Sequence, residues 1–296
     1  MADETGIPRA PAPENGAGWY VYGVLPWRVE VPMMAGIEEG RPTVFIPEGP
    51  IMAVASPVSL AVFDSEPLRR NMEDPRWLAE KVYRHEAVVE AMMAGGPVLP
   101  MKFCTIFRSP DAVRRMLREH GARFQEALEF VRDKEEWGVK GFVDRRGLRE
   151  AALRRDPDLC DMAEQLARSE SNRPGTAFFL KRRVDDLAEQ KRMEREAELI
   201  RAAVEALRGS VAEFASSLPP RGQGAAEGES ASLMSGRTGE EMVLDIACLV
   251  LKEGLQRFLA EMRQWNESEG NRGLRLEASG PWPPYNFSPR LGNHAR

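Results

Sequence analysis

Two residues of this 296-residue chain could together support covalent chemistry, namely His85 and Cys104. A histidine beside a cysteine can take the thiol proton and leave a thiolate nucleophile. His85, however, falls on the apolar stripe of a predicted helix, and Cys104 falls in a predicted buried strand. Buried cysteines usually behave as small apolar side chains. We therefore expect an inert thiol and a core histidine bonded to the backbone or to a hydroxyl such as that of Thr105.

The remaining histidines and cysteines form no recognisable metal-binding pattern. His120 lies on another predicted apolar stripe, His294 lies near the C-terminus, and Cys160 and Cys248 are far apart in the sequence. The sequence also lacks the motifs of phosphate loops, dinucleotide-binding turns, zinc proteases and serine hydrolases. We accordingly predict no catalytic residue, no metal site and no cofactor.

The elements that would position His85 and Cys104 follow from the spacing of apolar residues. Asp74 and Pro75 form an N-cap followed by a proline, which predicts the start of a helix. Its apolar stripe comprises Leu78, Val82, His85, Val89 and Met92. A second helix is predicted from Ser109 to Val131, and strands are predicted at 19–25, 43–47, 51–56, 98–107 and 136–144. This order predicts an α+β sandwich with helices on one face of a mostly antiparallel sheet.

The second half of the chain predicts another α+β arrangement, of the split β-α-β kind. Helices are expected at 146–170, with a break near Asp156, and from the segment "SNRPGTAFFLKRR" (171–183) to about Leu207. The early and late apolar stripes of this long helix differ in phase, so we expect its middle to be solvated on most sides or bent. The later strands are predicted at 210–218, at 241–251 leading into a helix up to Trp265, and at 274–279.

Composition narrows the class of protein. Hydrophobic residues make up 43% and charged residues 29%, which is typical of a soluble protein with a sizeable core. The net charge is −5 and the basic residues are dispersed, which argues against a nucleic-acid partner. We find neither a signal peptide nor an apolar stretch long enough to span a bilayer, and the odd, scattered cysteines favour a reducing cytosol. A cytoplasmic protein without a membrane partner is predicted.

The C-terminal segment "GPWPPYNFSP" is unusually stiff and aromatic for a chain end. Prolines restrict its backbone to extended conformations, so little entropy is lost when its aromatic side chains dock. We therefore predict a strap that crosses and seals a domain. The predicted limits are a disordered tail at 1–17, a first domain at 18–138, a second at 139–279 with a mobile loop at 219–240, and the strap region at 280–296.

Several segments together resemble the GvpL/GvpF family of gas vesicle proteins. They are "YVYGVL", "RHEAVVEAMM", "GPVLPMKFCTIF", "EWGVKGFVD" and "GPWPPYNF", and the resemblance covers roughly residues 19–288. Family members often carry glycine in place of Cys104, which further argues against a reactive thiol. We expect the motif residues to determine the fold more than to contact partners. They are His85, Pro100, Met101, Phe103, Glu136, Trp137, Lys140, Gly280, Pro281, Trp282, Pro283, Pro284, Tyr285 and Phe287.

The resemblance implies a non-catalytic accessory protein of gas vesicle formation with two α+β domains, the first ferredoxin-like. It also implies association with the major shell protein and with other accessory proteins, either as a minor shell component or during assembly. Two alternatives remain open. One is a cytosolic thiol enzyme that uses Cys104 and His85, and the other is an adaptor whose PxxP-containing tail binds proline-recognition domains.

Overall fold

The computed structural model describes residues 16–170, 174–216, 239–268 and 273–289. The chain forms two compact units: unit 1 is Met1–Glu136 with Pro281–Arg296, and unit 2 is Trp137–Gly280. Within the described ranges, the helices are too short or too polar to traverse a bilayer. Most of the predicted N-terminal tail and of the predicted loop 219–240, together with His294, lies outside the described residues.

Unit 1 is built on an antiparallel sheet of five strands. They are β1 (Ala17–Pro26), β2 (Val44–Glu48), β3 (Ile51–Ser59), β4 (Leu99–Pro100) and β5 (Ile106–Phe107). The central strand β1 pairs with β3 on one side and with the short strands β4 and β5 on the other, and β2 pairs with the outer side of β3. Aromatic and β-branched residues fill β1, as expected for a strand buried on both faces.

In the described part of unit 1, five helices accompany this sheet. They are α1 (Leu60–Phe63), α2 (Ser65–Asn71), α3 (Pro75–Gly95), α4 (Pro110–Glu119) and α5 (Gly121–Val131). Both predicted helix starts are confirmed, because the Asp74 carboxylate accepts the Arg76 N–H at 2.9 Å and the Ser109 hydroxyl accepts the Ala112 N–H at 3.1 Å.

Two details of the predicted helices are wrong. The second helix is not continuous, because His120 leaves helical geometry (φ −109°, ψ 9°) and Gly121 starts a new helix. Glycine is a weak helix former, so a break costs little there. On α3, Val82 is 38% exposed, whereas His85, Val89 and Met92 are buried as the stripe predicted.

Helices cover both faces of the unit 1 sheet, where we predicted one face. On β1, Trp19 and Val21 join a core with α4 and α5, whereas Tyr20 and Tyr22 join a second core with α3. Alternating residues of a strand point to opposite faces, so a central strand that is apolar throughout needs a cover on each side. The α+β class and the antiparallel pairing are confirmed, and the ferredoxin-like arrangement stays a prediction.

The predicted strand 98–107 is interrupted, which corrects the expected position of Cys104. Within this segment, β4 and β5 pair with β1, and the chain between them forms a turn in which the Thr105 N–H is bonded to the Lys102 carbonyl at 3.1 Å. Pro100 has no N–H to extend the ladder. Cys104 therefore lies in a turn, with a left-handed φ of 62°. Such a conformation favours glycine.

Unit 2 contains a four-stranded sheet in the order β7-β8-β6-β9, and the chain crosses between the units within β6 and near the end of β9. Its elements are β6 (Lys134–Val143), α6 (Arg145–Arg155), α7 (Pro157–Glu170), α8 (Pro174–Leu207), β7 (Glu213–Ser216), β8 (Glu241–Leu251), a 3₁₀ turn (Lys252–Gly254), α9 (Leu255–Ser268) and β9 (Leu274–Trp282). The predicted order of elements is confirmed, including the break at Asp156, whose carboxylate accepts the Leu159 N–H.

The middle of α8 explains why its apolar stripes are out of phase. Arg192 occupies the buried side at this level, is only 7% exposed, and donates to Glu189 and Glu196. Glu196 also accepts from Arg145 at the start of α6, at 3.1 Å. A paired charge thus replaces an apolar residue on the buried side, and the neighbouring Met193 is exposed, in agreement with the predicted solvated middle.

Candidate functional site

The C-terminal segment packs onto unit 1 and forms the strap, which we define as residues 283–289. Pro283 and Pro284 are buried, and Phe287 packs against the core formed by β1, α4 and α5. The Asn286 backbone N–H and side-chain amide both donate to the Glu136 carboxylate, at 3.0 and 2.7 Å. The segment is therefore docked, as its content of proline and aromatic residues predicted.

Both ring nitrogens of His85 are bonded to tyrosine hydroxyls. Nδ1 lies 3.0 Å from the hydroxyl of Tyr20 on β1, and Nε2 lies 2.9 Å from the hydroxyl of Tyr285 on the strap. The Tyr20 hydroxyl also accepts the Cys104 N–H at 3.0 Å, and the Tyr285 hydroxyl donates to Glu86 at 2.9 Å. These five residues form one continuous chain of hydrogen bonds, which we call the His85 network.

The direction of each hydrogen bond follows from the two ends of the network. Tyr285 gives its only hydroxyl proton to Glu86, so it must accept from Nε2–H of His85. Nδ1 is then unprotonated and accepts from the Tyr20 hydroxyl, which in turn accepts the Cys104 N–H. A neutral His85 therefore satisfies every donor and acceptor in the series.

Burial keeps the network in this protonation state. It lowers the pKa of His85 to about 4 and raises the pKa values of Tyr20 and Tyr285 above their ordinary range. The imidazole is also enclosed by rings, with Tyr22 stacked at 5.8 Å and Phe103 edge-on at 5.7 Å between centroids. With both nitrogens bonded and the ring packed among aromatic side chains, His85 is arranged as a structural histidine.

Cys104 is not arranged as a nucleophile. Burial raises the pKa of its thiol to about 12, and the network holds its backbone N–H, not its sulfur. A catalytic thiolate needs a lowered pKa and a nearby positive charge or base. The expectation that the histidine bonds to hydroxyls is confirmed, but the example named for it was wrong, because Thr105 donates to the Lys102 carbonyl at 2.7 Å.

We expect the Cys104 thiol to react with iodoacetamide about a hundredfold more slowly than free cysteine at pH 8, because so little of it is ionised. A Cys160→Ser/Cys248→Ala variant leaves Cys104 as the single thiol, and mass spectrometry follows its alkylation. The same variant in guanidinium is the control and should react at the ordinary rate. Alkylation of the folded variant at the rate of free cysteine would contradict this prediction and support the alternative that the protein is a thiol enzyme.

Glu136 is the second buried ionisable group that the strap reaches. Glu136 is only 4% exposed. Burial raises the pKa of its carboxyl, and the two hydrogen bonds from Asn286 lower it by less. Among the described residues, Asn286 supplies the two hydrogen-bond donors of this carboxylate. The strap therefore stabilises a carboxylate that would otherwise be buried without a hydrogen-bond donor.

The remaining motif residues are distributed over both units. Pro100 on β4 pairs with Gly23 on β1. Met101, the buried residue that follows β4, donates its N–H to the Tyr22 carbonyl at 2.8 Å. Trp137 and Lys140 lie on β6 in unit 2. Gly280 also belongs to unit 2, and the next two residues, Pro281 and Trp282, are exposed.

The PxxP pattern of the tail is not exposed as a ligand of a proline-recognition domain would be. It runs from Pro281 to Pro284, and its last two prolines are buried in the docked strap. A proline-recognition domain grips exposed proline rings in an aromatic groove. The docked conformation therefore opposes that alternative.

Sequence reasoning singled out His85 and Tyr285 but missed Tyr20, Glu86 and Asn286, which bond to the motif residues. The signal was present in part, because a buried tyrosine or histidine needs a polar partner. Within the described residues there is no group of three or more His, Cys, Asp or Glu side chains that could hold a metal ion.

Comparison with known proteins gives consistent results. A family model described as "Gas vesicle synthesis protein GvpL/GvpF" matches residues 18–289. Gas vesicle protein L of Streptomyces sp. (strain CB03234) is 28% identical over 272 residues, covering 91% of this chain and 92% of that protein. Gas vesicle protein F of the same strain is also 28% identical, covering 90% and 98%. Sequence identity thus does not separate the two types.

Solved structures show the same fold. The crystal structure of gas vesicle protein GvpF from Anabaena sp. PCC7120 has a TM-score of 0.69 at 17% identity, covering 93% of this chain and all of that one. GvpF from Microcystis aeruginosa has a TM-score of 0.61 at 19% identity, covering 91% and 98%. The chain belongs to the GvpL/GvpF family of gas vesicle synthesis proteins, and its role lies in gas vesicle formation.

Proposed function

We propose that this protein is a non-catalytic accessory or minor structural protein that binds the major shell protein during gas vesicle assembly in the cytoplasm. The observation that carries the non-catalytic part is the His85 network. It commits both imidazole nitrogens to tyrosine hydroxyls and leaves the neighbouring thiol protonated. Family membership supports the assembly role, and other gas vesicle accessory proteins are further expected partners.

The physical need for such a protein follows from the wall it helps to build. A wall that keeps water out of a gas space must present an apolar inner face, so its free subunits are prone to aggregate. A folded accessory protein can cover an apolar surface or pair with a free strand edge until the subunit is incorporated. The terminal strands β2 and β9 of the two sheets offer such edges.

The edge of β9 is already partly closed by its own unit. The Asn266 side chain from α9 bonds to both the N–H and the carbonyl of Leu276, at 2.8 Å each, and the Trp265 indole donates to the Leu274 carbonyl. Side chains thus occupy backbone groups that a partner strand would need at the start of β9. Strand addition at β9 is therefore restricted to its later residues, whereas β2 is a second candidate edge.

The test is co-purification of the full chain with the shell protein from cells that form gas vesicles, combined with deletion of its gene. We expect a complex of the two proteins and a loss or deformation of vesicles in the deletion strain. Complementation with Cys104→Ala should restore normal vesicles. Absence of binding to the shell protein under all conditions, together with normal vesicles after deletion, would reject the proposal.

A further inference from the structure

The start of α8 exposes two adjacent aromatic side chains. Phe178 is 65% exposed and Phe179 is 73% exposed, and their rings meet edge-to-face with centroids 5.9 Å apart. The opposite side of the helix is packed, because Val184 and Ala188 contact α6 and α7 in a small core of unit 2. The two phenylalanines therefore contribute little to the packing of their own unit, and large exposed apolar groups commonly mark binding sites.

Three positive charges flank the rings on the same helix. Lys181, Arg182 and Arg183 are all exposed, and among the residues that the structure describes they form no hydrogen bond or ion pair. Later cations on α8 differ, because Arg192 and Arg195 each pair with glutamates. Residues 174–184 contain three cations and no acidic residue, although the whole chain has a net charge of −5.

Helical spacing places these groups on one surface. Residues three and four positions apart lie on the same side of a helix, so Phe178 neighbours Lys181 and Arg182, and Phe179 neighbours Arg182 and Arg183. The result is an apolar centre bordered by cations. Interface hot spots have this composition, with aromatic anchors at the centre and arginines that pair with carboxylates.

We propose that Phe178, Phe179, Lys181, Arg182 and Arg183 form an aromatic–basic surface that binds a segment of another gas vesicle protein. The segment carries aspartates or glutamates beside an apolar side chain. This inference rests on the proposed function, because it seeks the partner among gas vesicle proteins. It does not require that partner to be the shell protein. The rings supply the buried contact, and the cations select an acidic partner.

A protein partner fits this surface better than an anionic lipid layer. Asp186 follows one turn after Arg182 on the exposed side of α8, and Asp185 beside it pairs with Arg149. A flat anionic layer that reached the cations would also approach Asp186 and be repelled by it. A discrete polypeptide can pair with the cations and avoid the carboxylate.

The test is photo-crosslinking of the full chain in cells that form gas vesicles, with Phe179→p-benzoyl-Phe as the probe. Met193, which is 57% exposed on the same helix, provides the control position for the same probe. A second variant of the protein carries the probe at position 179 together with Lys181→Glu, Arg182→Glu and Arg183→Glu. Its matched control carries Arg69→Glu, Arg70→Glu and Arg76→Glu in unit 1, which give the same change in net charge. Circular dichroism verifies that all variants fold.

We expect the probe at position 179 to capture one defined peptide that contains Asp or Glu. Its yield should fall at least tenfold on charge reversal beside the probe and remain unchanged in the unit 1 control. Capture of lipid alone, of the same products as at position 193, or of a peptide insensitive to the charge reversal would overturn the inference. If the captured acidic peptide comes from a gas vesicle protein other than the shell protein, the inference stands while shell binding must be sought at another surface.

Discussion

Ending the chain at Trp282 should lower the free energy of unfolding of unit 1 by about 4 kcal/mol. The truncation removes the strap, and with it the packing of Phe287 and the bonds of Tyr285 and Asn286. It also leaves Glu136 without the two donors that satisfy it. Part of the loss is offset because the strap no longer has to be ordered.

Hydrogen exchange of the amides in β1 measures this effect on unit 1 separately from unit 2. We expect the slowest β1 amides to exchange about a thousandfold faster in the truncated chain. A chain that ends at Pro289 is the control, since it keeps every described strap contact and should match the full chain. Asn286→Ala, which removes only the side-chain bond to Glu136, should give a smaller loss of about 1–2 kcal/mol. Unchanged β1 exchange after the truncation would mean that the strap is not a structural part of unit 1.

Local features of the fold could be predicted because their causes are local. The helix starts at Asp74 and Ser109 and the break at Asp156 each depend on a capping side chain within a few residues of the cap. The strand β1 was recognisable from its aromatic and β-branched content, and the docking of the strap from its prolines and rings. For the helix starts and the break, the sequence contains both partners of the interaction within a short window. The strand β1 and the strap were recognisable from their composition alone, because the hydrogen-bond partners of the strap lie 150 to 200 positions away.

The features that were mispredicted depend on contacts between distant segments. An apolar run at 98–107 is compatible with a single strand, but the pairing of both its ends with β1 forces Cys104 into a turn. The covering of both sheet faces likewise depends on which side of β1 each helix reaches. Periodicity specifies which face of an element is apolar but not which other element covers it.

The sequence predicted some of the residues of the candidate site, but not which of them bond to each other. His85 and Tyr285 were both singled out, yet they are 200 positions apart, and no local pattern joins them. Tyr20 and Glu86 complete the network from β1 and α3. The prediction that the histidine is structural agrees with this geometry, although the partner proposed for it, Thr105, was wrong.

The largest expected pH effect comes from His85 itself. Its pKa is lowered by burial to about 4 from an ordinary value of 6.5, so between these values the unfolded chain binds more protons than the folded chain. The contribution of this neutral histidine is therefore complete above pH 6.5 and is lost as the pH falls towards 4. The shift corresponds to about 3 kcal/mol. Glu86 and Glu136 act in the opposite direction, because burial raises their pKa values and acid then favours the folded state.

His85→Gln separates these contributions, since the glutamine amide is uncharged throughout and can still accept from Tyr20 and donate to Tyr285. Tyr20, Tyr285 and Cys104 stay protonated over this range because burial raises their pKa values. We expect the variant to be less stable than the wild type at pH 7, with the difference shrinking by about 3 kcal/mol on acidification to pH 4. Urea titrations at several pH values, read by pulse-labelling of the β1 peptide, measure it. His120→Gln is the control for loss of a histidine elsewhere in unit 1. If wild type and His85→Gln lose stability in parallel as the pH falls, then His85 binds its proton as readily in the folded protein as in the unfolded chain. In that case the protonated Nδ1 must donate to Tyr20, and the direction inferred for that hydrogen bond is wrong.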